Sequence, residues 1–132
     1  MIDARVQAAD FDPGRQLQRL EELGAVGLAS AIIAARTDPA VQELLIDHYP
    51  ALARNVLAAI ASEAEARFGL TGIILIHRHG VLVPGERIAF AATCADDPQA
   101  ALDGCAFAIA ALGRRAPFWR KEIREDGSSA WR

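Results

Sequence analysis

Apolar side chains recur every four residues in two long segments, and this spacing predicts two long helices. The first begins at Pro50, where a missing N–H costs nothing, and ends at Gly69. Its stripe consists of Leu52, Val56, Ile60, Ala64 and Phe68. The second begins at Asp96-Asp97-Pro98, where acids suit the positive end of the helix dipole, and ends at Gly113. Its stripe consists of Leu102, Ala106, Ile109 and Leu112.

Shorter patterns predict one more helix and several strands. Leucines at spacing three, after the turn Asp12-Pro13-Gly14, predict a short helix ended by Gly24: Leu17, Leu20 and Leu23. Residues 25–35 fit a strand or a helix by periodicity alone, and Thr37-Asp38-Pro39 breaks the run. Strands are predicted at residues 41–49, 72–79 and 87–95. Two late segments, 121–124 and 129–132, flank the turn Asp126-Gly127 and predict a final hairpin.

The order of these elements predicts the fold class. The strands at 72–79 and 87–95 are joined by the turn Val83-Pro84-Gly85-Glu86, so they can pair as neighbours. Helices and strands do not alternate strictly along the chain. We therefore expect an α+β fold, with a mainly antiparallel sheet and helices packed on it, rather than a doubly wound one.

Length and composition indicate the number of domains and the general class of protein. A chain of 132 residues fits one domain, residues 1–132, and 52% hydrophobic with 23% charged residues excludes a disordered chain. No apolar run approaches the roughly 20 residues needed to span a bilayer, and the start lacks a secretory signal, so we expect a cytoplasmic protein without membrane contact. Cys94 and Cys105 lack metal-ligand spacing and are predicted to be buried thiols.

The charge is unevenly distributed along the chain. A formal net charge of -3 argues against nucleic acid as a partner. Residues 113–132 nevertheless carry six basic and three acidic groups, a local charge of +3 that leaves -6 for the rest. The C-terminal segment is therefore the part of the chain that attracts anions.

The stretch from Arg114 to Glu122 joins this positive charge to aromatic side chains. Guanidinium groups offer paired donors to phosphate or carboxylate oxygens, and Pro117 restricts the backbone beside Phe118 and Trp119. The pattern predicts an aromatic turn next to an anion-binding cluster. The alternative is a solvated loop with one buried tryptophan, since charge runs are usually surface features.

Four ordered motifs resemble the catalytic (large) subunit of molybdopterin synthase. They are Leu45-Ile46-Asp47-His48-Tyr49-Pro50, Ile73-Ile74-Leu75-Ile76-His77-Arg78-His79-Gly80, Val83-Pro84-Gly85-Glu86, and Arg115-Ala116-Pro117-Phe118-Trp119-Arg120-Lys121-Glu122. The similarity runs from about Gly24 to Trp131, and four motifs in order are more specific than any one. The resemblance implies an α/β hammerhead type of fold, a strand at residues 25–35 and a central homodimer.

The resemblance also implies a reaction and its partners. Enzymes of this family convert a cyclic pyranopterin phosphate into the dithiolene-bearing molybdopterin of molybdenum cofactor biosynthesis. The sulfur comes from the thiocarboxylated Gly-Gly tail of a small ubiquitin-like subunit, and the two kinds of subunit form a heterotetramer. Such a step needs a cationic pocket, a groove for the tail and a proton-transfer group, and it implies neither a metal nor a cofactor.

Carried over to this chain, the resemblance implies two groups of site residues. The catalytic residues are Arg120 and Lys121, which retain the positive charge that follows the tryptophan in the family. The substrate-binding residues are Arg36, Arg114, Arg115, His77 and Arg78.

The chain departs from the family pattern at three places. The family lysine before the Pro-aromatic-Trp segment aligns with Gly113, and arginine nearby is a poor proton shuttle because it stays protonated. The family Gly-x-Val-Arg segment reads Ala31-Ile32-Ile33-Ala34, with Arg36 two positions late. The family His-Arg pair falls at Asp96-Asp97, whose carboxylates are expected to repel a substrate phosphate.

These departures leave two alternatives open. The chain is either an enzyme with a rebuilt anion pocket or a catalytically degenerate paralogue that serves as a dimeric binding or regulatory module. A changed anionic substrate on the same scaffold is a weaker third reading. His48, His77 and His79 are more often structural than catalytic in strands, and we predict no metal site from them.

Overall fold

The computed structural model describes residues 1–36 and 38–131. The predicted break at Thr37 and the end of the predicted hairpin at Arg132 lie outside the described residues. In chain order the elements are β1 (Ile2–Gln7), α1 (Pro13–Glu21), β2 (Gly27–Ala34), β3 (Val41–His48), α2 (Pro50–Phe68), β4 (Gly72–Arg78), β5 (Gly80–Leu82), β6 (Arg87–Ala95), α3 (Pro98–Arg115), β7 (Phe118–Arg124) and β8 (Ser129–Trp131).

The strands form two four-stranded sheets. The first has the order β1-β4-β6-β2 and the second the order β5-β3-β7-β8. All described pairings are antiparallel except that of β1 with β4. The α+β class with a mainly antiparallel sheet is confirmed, as are the strand at residues 25–35, the pairing of β4 with β6 and the final hairpin of β7 with β8.

Both faces of the first sheet are covered, which explains why β4 and β6 are almost wholly buried. One face of β4 packs with α2 and α3, through Ile73 and Leu75 in the larger core cluster. The opposite face carries Ile74 and Ile76, which pack in a smaller cluster with Leu20 of α1. His77 follows Leu75 by two residues, so it lies on the face that carries the larger core.

Two predicted boundaries were wrong because of local backbone chemistry. The segment Asp12-Pro13-Gly14 is the start of α1: Oδ1 of Asp12 accepts from the backbone N–H of Gly14 at 3.0 Å, and Pro13 occupies the first turn. Helix α3 does not end at Gly113 but continues to Arg115. It ends there because Pro117 disfavours the helical conformation at Ala116, whose ψ is 127°.

The predicted stripes and the list of strands were also partly wrong. Leu52 and Leu102 are 49% and 55% exposed. The face of α3 that is buried consists mainly of small side chains, which a search for large apolar residues overlooks: Ala101, Gly104, Cys105, Ala108, Ala111 and Leu112. Strands β1 and β5 were not predicted, since one mixes charges with apolar residues and the other has three residues.

The structure also bears on the two cysteines and on whether a helix could span a membrane. Cys94 and Cys105 are both free thiols and both buried, as predicted. Burial raises the pKa of the Cys105 thiol to about 11. Across residues 1–36 and 38–131, no helix is long and apolar enough to cross a membrane.

Candidate functional site

Two cavities share Arg120 in their linings. The first, here called the histidine cavity, has a volume of about 460 Å³ and is lined by Ile33, His77, Leu112, Gly113, Ala116, Phe118 and Arg120. The second, the glutamate cavity, has a volume of about 200 Å³ and is lined by Ala34, Ala35, Arg36, Val41, Leu44, Pro84, Ile88, Arg120 and Glu122. Arg120 belongs to both linings, so this one residue borders both cavities.

Strand alternation explains the position of Arg120. In the β3–β7 register, Arg120 lies opposite Ile46 and Glu122 lies opposite Leu44, and both partners are buried. The alternate residues of β7 lie on the other face of the sheet, where Trp119 is 42% exposed. The segment after Pro117 is therefore a strand rather than the predicted aromatic turn.

His77 is held in the wall of the histidine cavity by two contacts. Its ring stacks on Phe118 with a centroid distance of 3.6 Å and an interplanar angle of 6°. Its Nδ1 lies 2.8 Å from the backbone oxygen of Arg78, and because a carbonyl only accepts, Nδ1 is the donor. The pKa of His77 is lowered to about 4, mainly by burial and also by Arg120, while this hydrogen bond acts in the opposite direction.

The other two histidines lie beside this stack. The rings of His48 and His79 are 4.2 Å apart, and the His48 ring lies 5.7 Å from that of Phe118. Burial lowers the pKa of His48, and the neighbouring His79 lowers it further. Among residues 1–36 and 38–131, no group of three or more His, Cys, Asp or Glu side chains is placed to hold a metal ion.

Gly113 leaves open space in the wall of the histidine cavity. It is exposed, lies within α3, and a Cβ built on it meets no atom within 4 Å. The family lysine that aligns with this position is therefore missing without any steric reason. A longer side chain can be restored here while the helix is kept.

The predicted site residues divide into two groups by location. Arg36 and Arg120 meet at the glutamate cavity, and His77 and Arg120 meet at the histidine cavity. The described lining of the two cavities does not include Arg78, Arg114, Arg115 or Lys121.

The four residues outside the cavity linings lie elsewhere in the structure. Arg78 is buried, and its guanidinium donates to the backbone oxygen of Ala8 at 3.0 and 3.1 Å and to that of Arg87 at 3.1 Å. Arg115 pairs with Glu63 at 2.5 Å, and Arg114 is exposed near the end of α3. Nζ of Lys121 lies 5.4 Å from the ring centroid of Trp131.

The acids at the start of α3 lie far from the histidine cavity within one chain. Asp97 caps the helix, and its Oδ1 accepts from the backbone N–H of Gln99 at 3.0 Å. At 1.5 Å per residue, Asp96 and Asp97 are about 25 Å from Gly113 along α3. Because the Debye length is about 8–10 Å, these acids do not repel a ligand in the histidine cavity of their own chain.

Two residues with clear positions in the site were not predicted from the sequence. Glu122 is buried in the glutamate cavity, and Phe118 is the stacking partner of His77. Residues 118, 120 and 122 alternate along β7 and therefore share one face of the strand, which is the sequence pattern that could have indicated both positions. Interpreting it required the pairing with β3, which the sequence alone does not supply.

Comparisons with known proteins identify the family of the chain. The family model described as MoaE protein matches residues 6–115. The molybdopterin synthase catalytic subunit of Pseudomonas aeruginosa is 38% identical over 128 residues, which cover 93% of this chain and 85% of that protein. That of Rhizobium meliloti is 37% identical over 132 residues, which cover 97% and 84%.

Solved structures show the same fold. The molybdopterin biosynthesis MoaE protein from Burkholderia ambifaria matches with a TM-score of 0.85 at 32% identity, over 99% of this chain and 88% of that one. Molybdopterin synthase from Staphylococcus aureus matches in fold, with a TM-score of 0.87 at 21% identity, over 98% of this chain and 96% of that one. The class is thus that of the α+β proteins of molybdenum cofactor biosynthesis. The chain belongs to the MoaE family, the molybdopterin synthase catalytic subunits, which confirms the resemblance carried by the four motifs.

Proposed function

We propose that this chain transfers sulfur from a thiocarboxylated small subunit to a cyclic pyranopterin phosphate, acting as a cytoplasmic enzyme of one domain, residues 1–132, within a homodimer. Its partner is a small ubiquitin-like sulfur carrier with a C-terminal Gly-Gly tail. The observation that carries the proposal is the position of Arg120 in the walls of both cavities. A guanidinium group suits phosphate and carboxylate oxygens equally, and the reaction brings one of each to the same place.

We assign the site residues in the same terms. Arg120 binds the anionic groups that meet between the cavities, and Arg36 adds a second guanidinium to the glutamate cavity. His77 contacts the substrate from the wall of the histidine cavity. Arg114, Arg115 and Lys121 add positive charge near the site, while Arg78 contributes by holding the backbone that follows β1.

The partner and the assembly are inferred from the family to which the chain belongs. A structure from Helicobacter pylori, described as the complex of subunits 1 and 2 of molybdopterin-converting factor, shares the fold with a TM-score of 0.79 at 16% identity. Likeness at that identity carries the fold alone, so the partner of this chain is inferred from the family. Gly113 is the feature that favours a degenerate paralogue instead, since the aligned lysine is missing.

Conversion of the pyranopterin phosphate by the purified chain with a thiocarboxylated small subunit tests the proposal. We expect product from the wild-type chain, and we expect Gly113→Lys to raise kcat by tenfold or more because it adds an ammonium group where space is open. Gly113→Gln is the matched control, with similar length and no charge. Absence of product from the wild-type chain, with binding of the small subunit intact, would establish the degenerate paralogue.

A further inference from the structure

Among the described lining residues of the histidine cavity, one side chain is a neutral base at neutral pH. Of these described residues, His77 and Arg120 are the only ones with an ionisable side chain. Arginine stays protonated at all relevant pH, so it donates hydrogen bonds but does not accept a proton. Gly113, at the position of the family lysine, has no side chain at all. Among the described residues that line this cavity, the proton acceptor is therefore His77.

The geometry of His77 is that of an oriented base. Since Nδ1 donates to the carbonyl of Arg78, the neutral ring has its lone pair on Nε2. The stack on Phe118, with rings 6° from parallel, fixes the plane of the imidazole. A fixed tautomer in a fixed plane is the arrangement that a base needs before its substrate arrives.

We propose that Nε2 of His77 accepts the proton of the water that cleaves the acyl–sulfur bond during sulfur transfer. This inference rests on the proposed function and deepens it. Once the thiocarboxylate sulfur has bonded to a substrate carbon, the tail is joined to the substrate as a thioester. The water oxygen then bonds to the acyl carbon, the carbon–sulfur bond breaks, and its electron pair leaves with sulfur on the substrate. One water proton passes to Nε2 and then to solvent, and the tail leaves as a carboxylic acid that ionises.

Burial is the main reason why this base is neutral in the free cavity, and the charges around His77 act in the same direction. Positive charge or protonation at three neighbours disfavours the imidazolium: Arg120, His48 and His79. The other elements around the ring present apolar or small side chains, from Val6, Ile33, Ala89, Leu112 and Gly113. An anionic substrate group that pairs with Arg120 compensates the positive charge of that residue. Substrate binding therefore raises the proton affinity of Nε2 at the moment when the base is needed.

Two substitutions separate the chemistry of His77 from its structural role. In His77→Asn the side-chain amide can still donate to the Arg78 carbonyl, but no lone pair corresponds to Nε2. We expect kcat to fall by a factor of about 10²–10³, with binding of the small subunit changed by less than threefold. Asp103→Asn changes an exposed titratable side chain of α3 that does not line the cavity, and its kcat is expected to stay within threefold of wild type. Circular dichroism and thermal melting establish that each variant is folded.

The pH profile supplies a readout that a structural role would not move. For the wild-type chain we expect the acid limb of kcat to lie at higher pH than the acid limb of kcat/KM, because bound substrate favours protonated His77. In His77→Asn, the ionisation of His77 should be missing from the acid limbs of both kcat and kcat/KM. In parallel, ¹⁵N NMR of the labelled histidines should show Nδ1 protonated in neutral His77 and a rise in its pKa on addition of inorganic phosphate.

The outcomes are distinguishable. Wild-type turnover with His77→Asn within threefold of it would overturn the role of His77 and leave the proposed function intact. Failure of the wild-type chain to turn over at any pH, with the small subunit bound, would overturn the proposed function and this inference with it. Loss of activity in His77→Asn, together with loss of the acid limb, supports both the proposed function and the role of His77 as the base.

Discussion

Single residues of this chain hold most of the chemistry of the site, and their roles follow from what each side chain contacts. Arg120 and Arg78 are both arginines in matching motifs, yet one lines two cavities and the other is bound to backbone carbonyls. Sequence indicated the residue type and the motif at both positions. It could not distinguish them, because the difference depends on the pairing of β7 with β3 and on the contact of Arg78 with the loop after β1.

Protonation of His77 should make the fold sensitive to acid. Its pKa is about 4 in the folded chain and about 6.5 when unfolded, so the unfolded state binds more protons between those values and stability falls as pH drops through that window. From pH 7.5 to pH 5 this group alone should remove about 2 kcal/mol of unfolding free energy. Urea unfolding at both pH values measures it.

The His77→Asn variant is the control for this prediction, because asparagine does not titrate. Carboxylates contribute to the pH dependence of both proteins and cancel in the difference between them. The wild-type chain should lose about 2 kcal/mol more than the variant over this interval. Equal losses in the two proteins would show that His77 is not held neutral by its surroundings.

At the scale of elements, helix α3 connects the core to the site. Its buried face is built from small residues, and its last turn places Gly113 in the wall of the histidine cavity. Periodicity predicted the helix but misplaced its buried face, because alanine and glycine give weak hydrophobic signals. A glycine in a helical pattern is also ambiguous in sequence, since only the backbone conformation shows whether it ends the helix.

Two glycine substitutions test this account of the helix ends with opposite expected signs. Gly113→Ala should stabilise the chain by about 0.5–1 kcal/mol, since the position is helical and a Cβ meets open space. Gly69→Ala should destabilise it by about 1–2 kcal/mol, because the C-cap of α2 has φ 65°, which an L side chain adopts with strain. Urea unfolding of both variants is the measurement. Destabilisation by Gly113→Ala would mean that α3 does not continue past this residue.

A buried hydrogen bond fixes α3 against the first sheet. The hydroxyl of Thr93 on β6 donates to the backbone oxygen of Ala101 at 2.6 Å. Thr93→Val should cost about 1–2 kcal/mol, because it removes the donor and buries a methyl group against that carbonyl. Thr93→Ser keeps the hydroxyl and should retain this hydrogen bond, so it separates the bond from the packing. Chemical unfolding that shows no difference between Val and Ser would contradict the assignment.

At the scale of the whole molecule, the two sheets create the site by meeting at the C-terminal end of α3. The first sheet supplies His77, the second supplies Arg120, and α3 supplies the open position at Gly113. The family and the α+β class were predictable from the four motifs, because their order in the chain is specific. The convergence of His77, Phe118 and Arg120 was not predictable from the sequence, because it depends on contacts between separate sheets.

The most direct test of the central claim compares adjacent cations on opposite faces of β7. Calorimetric titration with the pyranopterin phosphate should show that Arg120→Gln lowers affinity by tenfold or more, because Arg120 lines both cavities. Lys121→Gln should lower it by less than threefold, because the Lys121 ammonium lies near Trp131 rather than in the cavity wall. Equal losses from the two variants, or unchanged affinity in Arg120→Gln, would contradict the account.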